Sequence, residues 1–297
     1  MTCPETRKIP VGEPDRSRRG ACLALAAALM PARSVLAQAA GAAQLEIGVL
    51  PNVSARVLMN QYQPLRTFLG RELGRPVQVS TAPGWTAFHQ ATMALEYDLV
   101  VTAAHLARLA QVERGLVPLV SFLPPIKGLL AVPVERPLQR VQDLAGRTLA
   151  LSNPQSLVTF RGMQWLVGQG LQRERDFRVV GTPTDDSVGN VVLRGDAAAA
   201  MLSGGEFRAI PEALRERLQI LSTFAEVPGF VAMASPRLPA ADAQALRALL
   251  LRFAEGTDEG RQFRERTGFT AMREPPAGLM ESLDADLPAT RRALAPT

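Results

Sequence analysis

Short apolar runs alternate along this chain with longer stretches in which apolar side chains recur at helical spacing. Leu45-Glu-Ile-Gly-Val-Leu50 reads as a strand, and Pro51, Asn52, Val53 and Ser54 as a turn and cap. Leu58, Tyr62, Leu65, Leu69 and Leu73 then fall on one face of a helix that Gly74 ends. Val77–Ser80 is a second strand, and Trp85, Phe88, Thr92 and Leu95 mark a second helix. Tyr97–Thr102 is a third strand, His105 starts a helix, and Leu116–Phe122 is a further strand. Such alternation predicts a mostly parallel sheet with helices on both faces.

Pro124-Pro125 interrupts the pattern, and Leu129–Val134 resumes it. The stretch from Leu149 to Gly162 organises the second half of the chain. It reads as a buried strand ending at Leu151, a turn through Asn153-Pro154, and a helix opening near Ser156. Proline fixes its own φ and pushes its neighbour out of the helical region, so Asn-Pro ends the strand. Phe177–Gly181, Ala197–Leu202 and Leu218–Phe224 are strands, and Val227–Ala234 is a returning one. Two helices come next, Ala240–Glu255 and Thr257–Arg266. The expectation is an α/β protein of two lobes, one from 45–128 with 226–297, the other from 129–225. Two chain crossings between lobes make a hinge, and the cleft between them is a favoured ligand site.

Strand-to-helix corners aim free backbone N–H groups at that cleft. Asn52, Ser54, Trp85, Thr102, His105, Ser156, Thr159 and Asp185 sit at or near such corners and are the candidate ligand-lining residues. Each has a plainer alternative. Ser156 and Asp185 serve equally as helix caps, and Trp85 as core. Lys127 stands beside the first crossing, where a surface lysine is the usual reading but a cleft role is open.

Charge alters the picture only at the front. The chain holds 33 basic and 28 acidic residues, with a pI near 10.0. Six basic and three acidic side chains lie within the first 37 residues, leaving 27 against 25 beyond them. No basic stripe interleaved with aromatics remains, which disfavours nucleic acid. Residues 1–39 have the layout of an export signal: a polar region ending Arg16-Ser-Arg-Arg-Gly20, an apolar run Ala21–Ala32, and small residues around Ala37-Gln38-Ala39. Ser17-Arg18-Arg19 resembles a twin-arginine signal. The run is short for a membrane span and contains Pro31. Cys3 and Cys22 both fall in this segment, so its removal leaves no thiol. Two histidines without cysteine neighbours make no metal site, and no cofactor is implied. A soluble, monomeric, periplasmic protein is expected.

Several motifs in order resemble one family. They are Gly48-Val-Leu-Pro51, Tyr62-Gln-Pro-Leu65, Tyr97-Asp98-Leu99-Val100 with Ala107-Arg-Leu-Ala110, Asp143-Leu-Ala-Gly-Arg147 and Gly195-Asp-Ala-Ala198. Together they resemble the phosphate/phosphite/phosphonate-type binding proteins of ABC importers, which have the type 2 periplasmic-binding-protein fold. The resemblance implies capture of a small ligand between two lobes and delivery to a membrane ABC permease, without catalysis. At the ligand motif the family's Ser-Thr-Ser-Gly reads here Ser156-Leu157-Val158-Thr159, and its Ser-His-Asp corner reads Thr184-Asp185-Asp186. Trp85 stands for the family's early tyrosine. A carboxylate at that corner repels an anion unless protonated or paired, which leaves open a ligand with N–H donors or a positive group stacked on Trp85. Presentation of ligand to a membrane sensor kinase is the rival role. A hydrolase built on Ser156, His105 and Asp185 is a more distant one, because no nucleophile-elbow glycine pattern accompanies them.

Overall fold

A computed structural model describes residues 44–182 and 187–295. The elements in chain order are β1 (Leu45–Val49), α1 (Ala55–Leu73), β2 (Val77–Ser80), α2 (Trp85–Met93), β3 (Leu99–Ala103), α3 (Ala104–Arg114), β4 (Val117–Leu123) and β5 (Ile126–Pro133). Then come β6 (Thr148–Leu151), α4 (Leu157–Gly168), β7 (Arg178–Gly181), α5 (Val188–Arg194), β8 (Ala199–Ser203), α6 (Gly204–Ala209), α7 (Glu212–Arg215) and β9 (Leu218–Val227). The chain closes with β10 (Phe230–Ala234), α8 (Ala240–Gly256), α9 (Asp258–Thr267), β11 (Ala271–Arg273) and α10 (Leu287–Leu294). Among the described residues no helix is long and apolar enough to cross a membrane.

These strands form two sheets, in the orders β11-β4-β10-β3-β1-β2 and β7-β6-β8-β5-β9. The sheets are mixed, where the alternation predicts mostly parallel ones. β1 is parallel to β2 and β3, and β6 to β7 and β8, because a helix separates each consecutive pair. β10 runs antiparallel to β3 and β4, and β5 antiparallel to β8 and β9, because these strands carry the chain between sheets. The two sheets therefore share one plan, a parallel trio with its first strand in the middle and an antiparallel strand beside the third.

The crossings lie side by side. The first turns at Pro124-Pro125, so β5 begins at Ile126, ahead of the expected Leu129. The second turns at Pro228-Gly229, which splits the expected strand 227–234 and extends β9 to Val227. Ile126 pairs with Val227 across them. Gly229 is needed there: a Cβ would come within 2.1 Å of the Phe122 carbonyl oxygen.

Helix ends follow the sequence. Gly74 and Gly115 take φ of 61° and 70° and end α1 and α3 in the left-handed conformation glycine tolerates. Pro64 lies inside α1 and cannot donate to the Asn60 carbonyl, and Arg266 of α9 supplies that donor at 2.7 Å. In the second sheet Phe224 stacks on Trp165 at 5.3 Å and lies over Gly128 and Gly162, where a Cβ would meet its ring at 2.5 and 3.0 Å. The core of the first sheet reaches across to Leu157 and Val158 of α4, and all described residues fall in one contact unit.

Candidate functional site

In a sheet whose first strand lies between the second and third, ligands sit outside the carboxyl ends of the strands, beside the first and third. Both sheets meet that condition, and the two sets of ends face one cavity of about 900 Å³. Asn52 and Val53 reach it from the end of β1, Trp85 from the start of α2, and Ala103, Ala104 and His105 from the β3–α3 junction. From the other sheet come Ser156, Leu157 and Val158 at the start of α4, and Ser203 to Ala209 after β8. Phe230, Phe269 and Ile220 add apolar wall. Helix starts carry N–H groups without intrahelical acceptors, so a cavity edged by several of them favours negative charge.

The Asn153-Pro154 corner folds as its residues dictate. Asn153 Oδ1 accepts from the Gln155 backbone N–H at 2.8 Å, a side-chain turn that asparagine makes readily. Ser156 Oγ accepts from the Thr159 N–H at 3.1 Å as the N-cap of α4, and its hydroxyl lies 3.2 Å from Thr159 Oγ1. Thr159 in turn donates to the Asn153 carbonyl at 2.6 Å. Both hydroxyls thus hold the turn, and Ser156 also borders the cavity.

Gln155 then ties the two sheets together. Its carbonyl accepts from His105 Nε2 at 3.0 Å, and its side-chain amide donates to Thr86 Oγ1 and to the Ala293 carbonyl, both at 2.8 Å. Burial pushes the His105 imidazole down to about 4, against the Gln155 hydrogen bond, so the ring is neutral near pH 7. His105 Nε2 is thus engaged by the Gln155 carbonyl, and the Ser156 hydroxyl by Thr159.

Three buried polar atoms on the cavity-lining residues have no hydrogen-bond partner among the described residues: Tyr62 Oη, Trp85 Nε1 and His105 Nδ1. Unpaired buried groups are uncommon and costly, which marks this cluster. Burial also raises the Tyr62 phenol above its usual range, keeping it a neutral donor. On the far wall Glu206 accepts from the Ser203 N–H at 2.5 Å and from Ser152 Oγ at 2.9 Å, while Ser203 Oγ caps the Glu206 N–H. Burial raises the Glu206 carboxyl despite those bonds.

Of the residues singled out in the sequence, Asn52, Trp85, His105 and Ser156 line the cavity together, as does Lys127. Ser54 is exposed at the N-cap of α1, makes no cap bond and is not in the lining. Thr102 is buried in β3 with an unpartnered hydroxyl, one residue short of the lining. Thr159 borders a smaller hollow of about 310 Å³ with Pro154, Phe160 and Met163. Asp185 lies outside the described residues. Tyr62 was legible only as part of the α1 stripe, because helical spacing does not separate a core residue from one at a cavity edge. Ser203 and Glu206 carried a readable mark, the capping-box spacing directly after an apolar strand.

Residues 47–276 match the family described as ABC transporter, phosphonate, periplasmic substrate-binding protein. Among solved structures, XAC2383 from Xanthomonas citri bound to chloride ion is 22% identical with a TM-score of 0.70, over 84% of this chain and 99% of that one. PhnD1 from Prochlorococcus marinus in complex with methylphosphonate is 12% identical with a TM-score of 0.73, over 84% and 98%. The alkanesulfonate-binding protein SsuA from Xanthomonas axonopodis pv. citri bound to MOPS is 20% identical with a TM-score of 0.59, over 87% and 96%. These likenesses show a shared fold, the two-sheet type 2 periplasmic-binding-protein architecture. No curated protein matches the chain.

Proposed function

The chain belongs to the family of periplasmic substrate-binding proteins of phosphonate ABC transporters, and from that premise we propose that it captures a small oxyanion of the phosphonate class and delivers it to a membrane ABC permease. The observation that carries this reading is the cavity edged by the starts of α2, α3 and α4. Backbone N–H groups at helix starts bind oxyanions without a cationic side chain. The cavity volume of about 900 Å³ is that of a small-molecule pocket. In this reading Asn52, Trp85, His105 and Ser156 touch the ligand, and Thr159 holds the turn that presents Ser156.

The part carrying the six-stranded sheet acts as one lobe and 126–227, which carries the five-stranded sheet, as the other, so the boundaries move from the expected 128/129 and 225/226 to the turns at Pro124-Pro125 and Pro228-Gly229. Ligand contacts from both sides favour the closed arrangement, so binding shifts the open-closed population. Residues 1–39 direct export, and the protein works as a periplasmic monomer. That MOPS and methylphosphonate occupy proteins of this fold supports an oxyanion ligand.

Thermal melting of the purified protein with methylphosphonate, phosphite, methanesulfonate and small amines tests the proposal. Ligand at about 100 times its Kd adds about 2.7 kcal/mol of stability. The expected outcome is a rise in Tm with the phosphorus oxyanions and none with the amines. A rise confined to the amines, or no rise with any oxyanion, refutes it.

A further inference from the structure

We infer that α10 and the turn before it form a clasp that holds the two lobes together without ligand, gripping the other lobe at Gln155 and Arg161. This rests on the two-lobe reading above and adds what keeps the cleft shut. Gln155 and Arg161 belong to the part that carries the five-stranded sheet. Their partners belong to the other part. Gln155 Nε2 donates to the Ala293 carbonyl of α10 and to Thr86 Oγ1 of α2, both at 2.8 Å. Arg161 donates to the Asp286 carboxylate at 2.7 Å.

The clasp is fixed to its own lobe. Leu287, Thr290 and Leu294 recur at helical spacing and are buried, and both leucines belong to the core of the first sheet. Two ion pairs hold the same segment to α3. Arg108 donates to Asp284 at 2.7 Å, and Arg291 donates to Glu113 at 2.8 Å. A helix anchored in this way cannot follow α4 if the lobes part.

Its grip is two-pointed. Asp286 and Ala293 are seven residues apart, about 10 Å along a helix. The earlier of them meets the later residue of the α4 segment, so the two segments are held in opposite directions. One contact would let the lobes pivot about it, and two at this spacing do not. Apolar packing backs the polar pairs: Leu157 and Val158 are 4% and 5% exposed within the core of the first sheet, and Phe160 meets His105 edge-on at 5.6 Å. None of Thr86, Gln155, Arg161, Asp286 and Ala293 lines the cavity, so these contacts need no ligand to form.

A cleft held shut in advance binds in a recognisable way. Ligand enters through the open form, so association slows as that form becomes scarce, while the ligand is spared the cost of closing the lobes. Loosening the clasp should therefore speed association without improving affinity. Loss of a ligand contact would instead act mainly on dissociation.

Small-angle X-ray scattering of the unliganded protein tests the clasp with no ligand present. Gln155→Met keeps the length of the side chain and the carbonyl that His105 uses, and deletes the amide donors. Combined with Arg161→Gln, it should give a larger radius of gyration than wild type. Stopped-flow binding of methylphosphonate should show association at least about tenfold faster in the double variant, with equal or weaker affinity. Thermal melting reports whether the double variant folds; if it does not, Gln155→Met alone is read by both measurements. An unchanged radius of gyration with an unchanged association rate overturns the clasp and leaves the oxyanion reading standing. If methylphosphonate binds neither protein, the oxyanion reading falls and scattering alone decides the clasp, an unchanged radius overturning it.

Discussion

Arg161 of α4 donates to the carboxylate of Asp286 at 2.7 Å, joining the helix that follows the Asn-Pro corner to the turn before α10. The Asp286 side chain is 2% exposed and the Arg161 side chain 34%. Burial raises the Asp286 carboxyl even though Arg161 lowers it. Removing the arginine leaves a buried carboxylate unpaired. Arg161→Ala should therefore lower stability by about 1–2 kcal/mol, discounted for the partly exposed guanidinium. Because the folded carboxyl lies above its unfolded value, the mutant should recover stability as pH falls through the raised pKa. Denaturant melts at pH 7 and pH 4.5 measure both effects. Asp286→Asn, which removes the buried charge, should cost less than Arg161→Ala at pH 7.

His105 has the opposite sign. Its folded pKa of about 4 lies below the unfolded value of 6.5, so the unfolded chain binds the proton first. Its contribution is fully present above pH 6.5 and is lost as pH falls through 4, by about 3 kcal/mol in total. Chemical denaturation of wild type and His105→Gln across that range isolates the term. The gap between them should narrow with acidification, and a constant gap would contradict a buried neutral imidazole.

The unpaired atoms of Tyr62 and Trp85 should separate stability from binding. A buried polar group without a partner costs stability, and its deletion within the same shape is neutral or favourable. Trp85→Phe changes the side-chain volume much more than Tyr62→Phe, so the tyrosine variant is the cleaner test. Tyr62→Phe should leave the unliganded Tm unchanged or raised, while weakening methylphosphonate binding about tenfold. A lower Tm with unchanged affinity would make the phenol a packing element and nothing more.

Gly229 tests the crossing. A Cβ at this position would lie 2.1 Å from the Phe122 carbonyl oxygen, with the Pro124 carbonyl at 3.5 Å. Backbone atoms cannot rotate away as a side-chain tip can. Gly229→Ala should cost about 2–3 kcal/mol, read as a lower denaturant midpoint. Gly84→Ala, where a Cβ meets nothing within 4 Å, is the control and should be close to neutral.

The stretch from Leu149 to Gly162 was readable because its instructions are local. Asn-Pro ends a strand and Ser156 caps a helix by contacts within six residues, and the structure has β6, the turn and α4 in those places. The mixed sheets were less readable, since strand direction depends on which strands become neighbours. β10 pairs with β3 and β4 from more than a hundred residues away. Ser54 and Ser156 look alike as corner serines, yet one is exposed at the mouth of α1 and the other borders the cavity.

Apolar spacing, proline, glycine and capping chemistry were enough to set the helices, most strands and the α/β class, because each acts over one or two turns of chain. The cavity needed both sheets at once. Tyr62, His105, Gln155 and Ser203 are distant in sequence, and nothing local marks them as neighbours. Gln155 joins His105, Thr86 and Ala293 through contacts spanning 50, 69 and 138 residues. That closure sets the imidazole tautomer and leaves its second nitrogen bare, because the acceptor that fixes the proton on Nε2 is a backbone carbonyl from the other sheet.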